Sequence, residues 1–174
     1  MNVFLTGEIG IGKSTAVSRV VSRLGVKAGG FLTTFGVERG VPHRSLFLVP
    51  AWVEPPPLVE ANVVARFGQP GEPPVPDTAA FDECGPACLA ASLPWAEVIL
   101  MDELGSMERE ALLFQHAVLD CLDQDIPVLG VLKERGHPWM DAISGHPGVM
   151  VHAVTLENRD SLVDVVCDEL SAQC

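Results

Sequence analysis

The chain has 174 residues and a formal net charge of −12, from 11 lysines and arginines against 23 aspartates and glutamates. This length fits one domain with a single core, and the acidic balance argues against a nucleic-acid-binding surface, which needs clustered basic side chains. The chain starts without the pattern of a secretory signal, its longest apolar runs are strand-sized rather than membrane-spanning, and its five cysteines lack a C-x-x-C pair, so we expect reduced thiols in a cytoplasmic protein.

The first predicted strand leads directly into a glycine-rich phosphate-binding motif. Val3-Phe4-Leu5 is followed by Gly7-Glu8-Ile9-Gly10-Ile11-Gly12-Lys13-Ser14, a complete G-x-x-x-x-G-K-[ST] pattern, and then by a predicted amphipathic helix over Ser14–Leu24. In such a loop the backbone N–H groups turn inward around an anion, and the helix N-terminus faces the phosphates. We therefore predict that residues 7–15, including Thr15, bind a nucleoside triphosphate. Lys13 would reach the β- and γ-phosphates as a catalytic residue, and Ser14 would ligate Mg²⁺.

The next region combines a predicted hairpin with a proline-rich arm. Lys27–Thr34 and Arg44–Val49 are predicted strands joined by a short turn, which favours an antiparallel pair. Residues 50–76 hold eight of the 14 prolines, which disfavours a helix because proline lacks a backbone N–H. Only Val59–Phe67 is long enough for a strand there. A surface excursion and a flap near the nucleotide are the two interpretations, and we favour the excursion.

The rest of the chain alternates strands and helices, which indicates a mostly parallel sheet covered by helices on both faces. We therefore predict a three-layer α/β fold with an antiparallel hairpin or edge strands. The predicted elements are a helix over Thr78–Leu93 with Asp77 as its cap, a strand over Glu97–Met101, a helix from Ser106 or Met107 to Asp123, a strand over Ile126–Leu132, a short helix opened by His137-Pro138, a strand over Val149–Val154 and a helix over Glu157–Ser171.

One predicted strand ends in two carboxylates, Val98-Ile99-Leu100-Met101-Asp102-Glu103. An apolar strand that delivers an acid to the sheet edge, after a phosphate loop, is a Walker B pattern. Asp102 would hold Mg²⁺ opposite Ser14. Glu103 would orient and deprotonate a water aimed at the γ-phosphate, with helix capping or solvation as its alternative role.

Phosphoryl transfer also needs positive charge around the γ-phosphoryl oxygens, and the chain has eight arginines. Lys133 and Arg135 follow the strand Ile126–Leu132, so a parallel sheet would bring them to the same edge as Asp102. We select Arg135 for the transition-state charge, with an exposed salt bridge as the alternative. Asn158 would frame the base of the nucleotide, or would only begin the last helix.

Blocks along almost the whole chain resemble the small P-loop nucleoside-triphosphatases of the thermophile-type and cancer-related kind, which are sometimes described as nucleotide kinases. The blocks are Gly30-Phe31-Leu32-Thr33, Met101-Asp102-Glu103-Leu104-Gly105-Ser106-Met107-Glu108, Gly130-Val131, His137-Pro138 and Val154-Thr155 with Asn158-Arg159-Asp160. The resemblance implies a RecA-like fold and Mg²⁺-dependent hydrolysis of ATP, GTP and other nucleoside triphosphates to diphosphates and phosphate. We expect residues 1–174 to form one such domain, with the proline-rich arm at about 50–76.

Two other functions stay open at this point. A kinase would pass the γ-phosphate to a small acceptor, but the candidate lid over residues 133–148 holds only two cations, which disfavours this alternative. A nucleotide-dependent switch or assembly factor would hydrolyse slowly and would use the proline-rich arm to bind a protein partner.

Overall fold

The computed structural model describes residues 1–37, 41–133 and 136–171. Within these ranges, eight strands form one sheet. The strands are β1 (Asn2–Thr6), β2 (Ala28–Thr34), β3 (Arg44–Pro50), β4 (Val63–Phe67), β5 (Val75–Pro76), β6 (Val98–Leu104), β7 (Val128–Leu132) and β8 (Val149–Ala153). The helices are α1 (Lys13–Leu24), α2 (Thr78–Ser92), α3 (Leu112–Leu122), α4 (Pro138–Ser144) and α5 (Leu162–Ser171).

The sheet order is β5-β4-β3-β2-β6-β7-β1-β8. Five neighbouring strands pair in parallel, in the order β2, β6, β7, β1 and β8. The strands β3, β4 and β5 extend the sheet beyond β2 by antiparallel pairing. The predicted α/β fold with antiparallel edge strands is confirmed. The carboxyl ends of parallel strands meet at one edge of the sheet, and ligands bind at this edge in open α/β sheets. We therefore expect a ligand-binding site there.

Apolar side chains alternate between the two faces of the sheet, as the pleat of a strand requires. In β1, Val3 and Leu5 belong to a buried cluster with α1 and α5, whereas Phe4 belongs to the cluster packed against α2 and α3. Both faces are therefore covered, which gives three layers. No helix in the described ranges has both the length and the apolar character needed to cross a membrane.

The proline-rich arm contributes two strands to the sheet. The predicted strand over Val59–Phe67 begins only at Val63, because Glu60–Asn62 form a turn of 3-10 helix. Val75–Pro76 then adds a short outer strand next to β4. The arm thus lies at the end of the sheet beyond β3.

Two helices begin later than predicted. The helix expected from Ser106 or Met107 starts at Leu112, because Glu108 is drawn into the interior, where its carboxylate accepts a hydrogen bond from the Gly105 N–H. The helix expected from Glu157 starts at Leu162. There, the side chain of Asn158 accepts from the Thr155 N–H and holds the chain in a turn.

Candidate nucleotide-binding site

The phosphate loop connects β1 to α1 at the carboxyl edge of the sheet. Gly7, Gly10 and Gly12 have φ angles of 134°, 81° and 109°, a region that residues with a Cβ rarely adopt. Lys13 is only 8% exposed, and its Nζ donates hydrogen bonds to the carbonyls of Gly7 at 2.7 Å and Glu8 at 2.8 Å. The loop therefore presents backbone N–H groups together with one buried ammonium, which is the chemistry that binds phosphate.

Ser14 and Asp102 are in contact although they lie far apart in the chain. Asp102 is on β6, where it is in register with Leu32 on one side and Val131 on the other, and its carboxyl group lies close enough to the Ser14 hydroxyl for that group to lower its pKa. Burial raises the pKa of Asp102 to about 6; the Ser14 hydrogen bond and the Lys13 charge oppose this rise, while the neighbouring Glu103 adds to it. A hydroxyl and a carboxylate side by side are oxygen donors of the kind that Mg²⁺ prefers.

The described residues contain no cluster of three or more histidines, cysteines, aspartates or glutamates arranged to hold a metal ion. A Mg²⁺ ion in a nucleotide site does not need such a cluster. It is usually held by one or two protein oxygens, by waters and by the phosphates of the substrate. The donor set of Ser14 and Asp102 therefore fits Mg²⁺ bound together with a nucleotide.

Glu103 lies at an irregularity where β6 changes register against β7. Its N–H donates to Thr33 Oγ1 of β2 at 3.3 Å, and its Oε1 lies 2.9 Å from Lys133 Nζ. The side chains of Glu103 and Lys133 are 25% and 38% exposed, respectively. Glu103 is thus anchored from both neighbouring strands while its carboxylate stays accessible to water.

Glu108 is a residue of this site to which the sequence analysis assigned no role. It is 2% exposed, and its Oε1 accepts hydrogen bonds from the Gly105 N–H and, at 3.3 Å, from Trp139 Nε1. Burial raises the pKa of Glu108 to about 7, against the opposing effects of these hydrogen bonds and of the Lys133 charge. Glu108 therefore ties the loop after β6 to α4. The one sequence signal for it was its place at the end of the block that begins at Met101.

Of the last two predicted site residues, the structure describes only Asn158. Arg135 lies outside the described residues. Asn158 directs its side chain to its own loop: Oδ1 accepts from the Thr155 N–H at 2.8 Å, and Nδ2 donates to the Ala153 carbonyl at 2.8 Å. This loop follows Val154, whose backbone borders Gly7 of the phosphate loop. A role for Asn158 beside the nucleotide stays a prediction.

Two adjoining cavities, each of about 230 Å³, open at this edge of the sheet. The first lies over the phosphate loop and is lined by Gly10, Gly12, Lys13 and Thr15. The second extends from Asp102 toward β3 and β4. Ile9, Ser14 and Glu103 line both cavities, so the acidic strand end stands at their junction.

A phosphate loop at the end of a parallel strand, with an acidic strand end two places away in the sheet, defines the class of P-loop nucleoside-triphosphate-binding proteins. Comparison with known proteins agrees. Residues 2–167 match the model of the family described as NTPase, and the chain belongs to that family. The predicted class of enzyme, a nucleoside-triphosphatase, is confirmed.

Individual relatives resemble the chain over nearly its whole length. The nucleoside-triphosphatase THEP1 of Thermofilum pendens is 32% identical, over 98% of this chain and 96% of the relative. Among solved structures, the crystal structure of THEP1 from Aquifex aeolicus superimposes with a TM-score of 0.77 at 26% identity, covering 98% of this chain and 99% of the other. The solution structure of a human cancer-related nucleoside triphosphatase gives 0.71 at 27% identity, covering 98% and 97%.

Proposed function

We propose that this protein hydrolyses ATP, GTP and other nucleoside triphosphates to diphosphate and phosphate in a Mg²⁺-dependent reaction. The observation that carries the proposal is the position of Glu103. Glu103 lines the phosphate-loop cavity together with Lys13 and Ser14, directly follows Asp102, and is accessible to water. An acid in this place can act on a water beside the terminal phosphate.

Phosphate binding is the task of residues 7–15 in this proposal. The backbone N–H groups of the loop and the Lys13 ammonium would offset the charge of the β- and γ-phosphates. Ser14 and Asp102 would hold Mg²⁺. When bound, the ion neutralises charge that develops on the phosphate oxygens.

Glu103 would act as general base in the chemical step. It would accept a proton from a water whose oxygen forms a bond to the γ-phosphorus, while the bond from that phosphorus to the bridging oxygen of the diphosphate breaks. Lys133 would hold the carboxylate in place through their ion pair. Arg135 remains our candidate for stabilising the transition-state charge, and Asn158 for contacting the base.

We also propose that the protein is located in the cytoplasm. The described cysteines Cys84, Cys88, Cys121 and Cys167 are all free thiols, which supports a reducing, cytoplasmic location. Burial raises the pKa of Cys88 to about 11 and that of Cys121 to about 12. These two thiols are therefore poorly reactive, as expected for core residues.

Phosphate release from ATP, GTP, CTP and UTP, measured with Mg²⁺ and with excess chelator, tests the proposal. We expect release only with Mg²⁺ and a loss of about 10²- to 10⁴-fold in Glu103→Gln, the range for removal of a general base. Nucleotide affinity should be unchanged in this variant. Glu83→Gln, on the exposed surface of α2, is the matched control. Equal turnover in Glu103→Gln and the parent would overturn the role of Glu103, and turnover without Mg²⁺ would overturn the metal dependence.

A further inference from the structure

The second cavity runs from the acidic strand end to the antiparallel edge of the sheet. At one end it is lined by Asp102, Glu103 and Lys133, and at the other by Arg44 and Phe67 of β3 and β4. β3 lies four places from β1 in the sheet, or about 19 Å at about 4.8 Å per strand. A phosphate held by the loop after β1 therefore does not itself reach the Arg44 end of this cavity.

The sheet topology brings Arg44 and two phenylalanines together at this end. Phe35 directly follows β2, Arg44 begins the antiparallel β3, and Phe67 ends β4 in register with Arg44. All three consequently lie at the carboxyl edge of the parallel strands. The Arg44 guanidinium carbon is 4.4 Å from the centre of the Phe35 ring and 5.0 Å from that of Phe67, so the rings orient the guanidinium by cation–π contact.

Among the described residues, Arg44 lacks the acceptor that a partly buried arginine normally has. Its Nε is buried and has no hydrogen-bond partner among the described residues. Its Nη1 donates a long hydrogen bond to the Val41 carbonyl, at 3.4 Å. A buried donor without an acceptor is unfavourable, and more so when it is charged, so an acceptor supplied from outside the chain would be bound favourably.

Other arginines of this acidic chain form ion pairs with carboxylates. The ones that lie against a carboxylate are Arg19 with Asp160, Arg23 with Asp164, Arg66 with Glu60, and Arg109 with Glu110. All of these pairs are largely exposed. Within the described part of the chain, Arg44 has no such ion pair, even though acidic residues outnumber basic ones by 23 to 11. Its rigid planar fork is thus left for a carboxylate or phosphate that the described residues do not provide.

The walls around Arg44 are apolar. Phe35, Leu46, Phe67, Phe81 and Met107 line the same cavity, and Leu46 and Phe81 are buried. The acids Asp102, Glu103 and Glu108 lie toward β6, which is about 10 Å from β3 at the usual strand spacing. Glu103 is in addition neutralised by Lys133. The Arg44 end therefore combines a fixed cation with an apolar surface.

We propose that this cavity binds a second ligand beside the nucleotide: a small organic anion whose phosphate or carboxylate pairs with Arg44 and whose apolar body packs against Phe35, Phe67 and Phe81. The volume of about 230 Å³ suits a molecule with a single ring. This site goes beyond hydrolysis and does not depend on it, because its occupancy can be measured without turnover. A molecule bound here shares one cavity with Glu103.

Phenyl phosphate and benzoate are suitable probes, with neutral benzyl alcohol as the uncharged comparison. In a titration of the full chain followed by NMR, we expect saturable binding of at least one anion, no saturable binding of benzyl alcohol, and a shift of the Arg44 Nε–H signal as it gains an acceptor. The relative affinities of the two anions distinguish a phosphate site from a carboxylate site. The titration is repeated with a non-hydrolysable ATP analogue and Mg²⁺ bound, where probe binding should persist.

Matched variants make the test specific. We expect Arg44→Lys to weaken binding of the anion about tenfold, because an ammonium cannot replace the planar fork, and Phe67→Leu to weaken it as well. Arg109→Lys, which changes an exposed arginine, should leave the affinity for the anion unchanged. Thermal unfolding checks that each variant is folded. If Arg44→Lys does not fold, the Nε–H signal of the parent and the affinity of Phe67→Leu for the anion test the proposal instead. Absence of binding, equal effects of the two arginine variants, or displacement of the probe by the ATP analogue would overturn the proposal.

Discussion

Lys133 and Glu103 form an ion pair across the carboxyl ends of two adjacent parallel strands, with 2.9 Å between Nζ and Oε1. The stem of Lys133 passes over Gly105, where an added Cβ would lie 2.7 Å from Lys133 Cδ. Glu103 is held on its other side by Thr33. This arrangement assigns Lys133 the role of positioning the proposed general base.

Removal of the Lys133 ammonium should therefore slow the chemical step more than it weakens nucleotide binding. For Lys133→Met we expect kcat to fall about 10- to 100-fold, the cost of misplacing a catalytic group by about an ångström, with KM nearly unchanged. Lys133→Arg should recover part of the loss. Steady-state kinetics on these variants and on Lys27→Met, a lysine outside both cavities, provides the measurement. A raised KM at constant kcat would instead mean that Lys133 contacts the nucleotide.

Asp102→Asn should act through the metal. The amide keeps the size of the side chain but removes the charge beside Ser14, so we expect the Mg²⁺ concentration for half-maximal turnover to rise about 10- to 100-fold. A Mg²⁺ titration of phosphate release measures this value, and Asp120→Asn on α3 is the control, since Asp120 lines neither cavity. An unchanged Mg²⁺ requirement in Asp102→Asn would show that Asp102 is not a ligand.

Glu108 should make the free energy of unfolding depend on pH. Its pKa is about 7 in the folded chain against a reference of 4.5, so between these values the folded state binds more protons than the unfolded state. Stability contributed in this way is complete below pH 4.5 and declines as pH rises toward 7. The difference corresponds to about 3 kcal/mol.

Glu108→Gln removes this titration but retains Oε1 as an acceptor for Gly105 and Trp139. Urea unfolding between pH 4.5 and 8 should show the variant gaining stability relative to the parent as pH rises. Glu83→Gln, in the exposed part of α2, should follow the parent throughout. Parallel curves for Glu108→Gln and the parent would mean that the Glu108 pKa is not raised by burial.

Gly30 should tolerate no side chain. It has φ 86°, and an added Cβ would lie 2.0 Å from the Leu100 carbonyl oxygen of the paired strand. Because backbone cannot move away without opening the β2–β6 ladder, we expect Gly30→Ala to lower the free energy of unfolding by about 4 kcal/mol or more.

Gly71→Ala is the matched comparison. Gly71 has φ 93° but no atom within 4 Å of the added Cβ, so only the backbone strain of about 1–2 kcal/mol is expected. Urea unfolding of the two variants separates the steric clash from the strain. Equal losses would contradict a close approach of the two strands at Gly30.

Local patterns in the chain were enough to predict the phosphate loop and the acidic strand end. In both, the strand, the turn and the functional side chains are contiguous, so hydrophobic periodicity and residue type carry the information. The first residues of the helices were harder to predict. The helix predicted from Ser106 begins at Leu112, because one buried carboxylate competes for the backbone of this segment, and burial of Glu108 depends on Trp139 from a later element.

The amino-acid sequence by itself determined that a strand, a phosphate loop and a helix follow one another, and that an apolar strand ends in Asp102-Glu103. Only the tertiary structure decided that Glu103 meets Lys133 and that Arg44 meets Phe35 and Phe67. The physical reason is that these contacts follow from strand order and register. Those are set by packing of the whole sheet between its helices, and no local pattern encodes them.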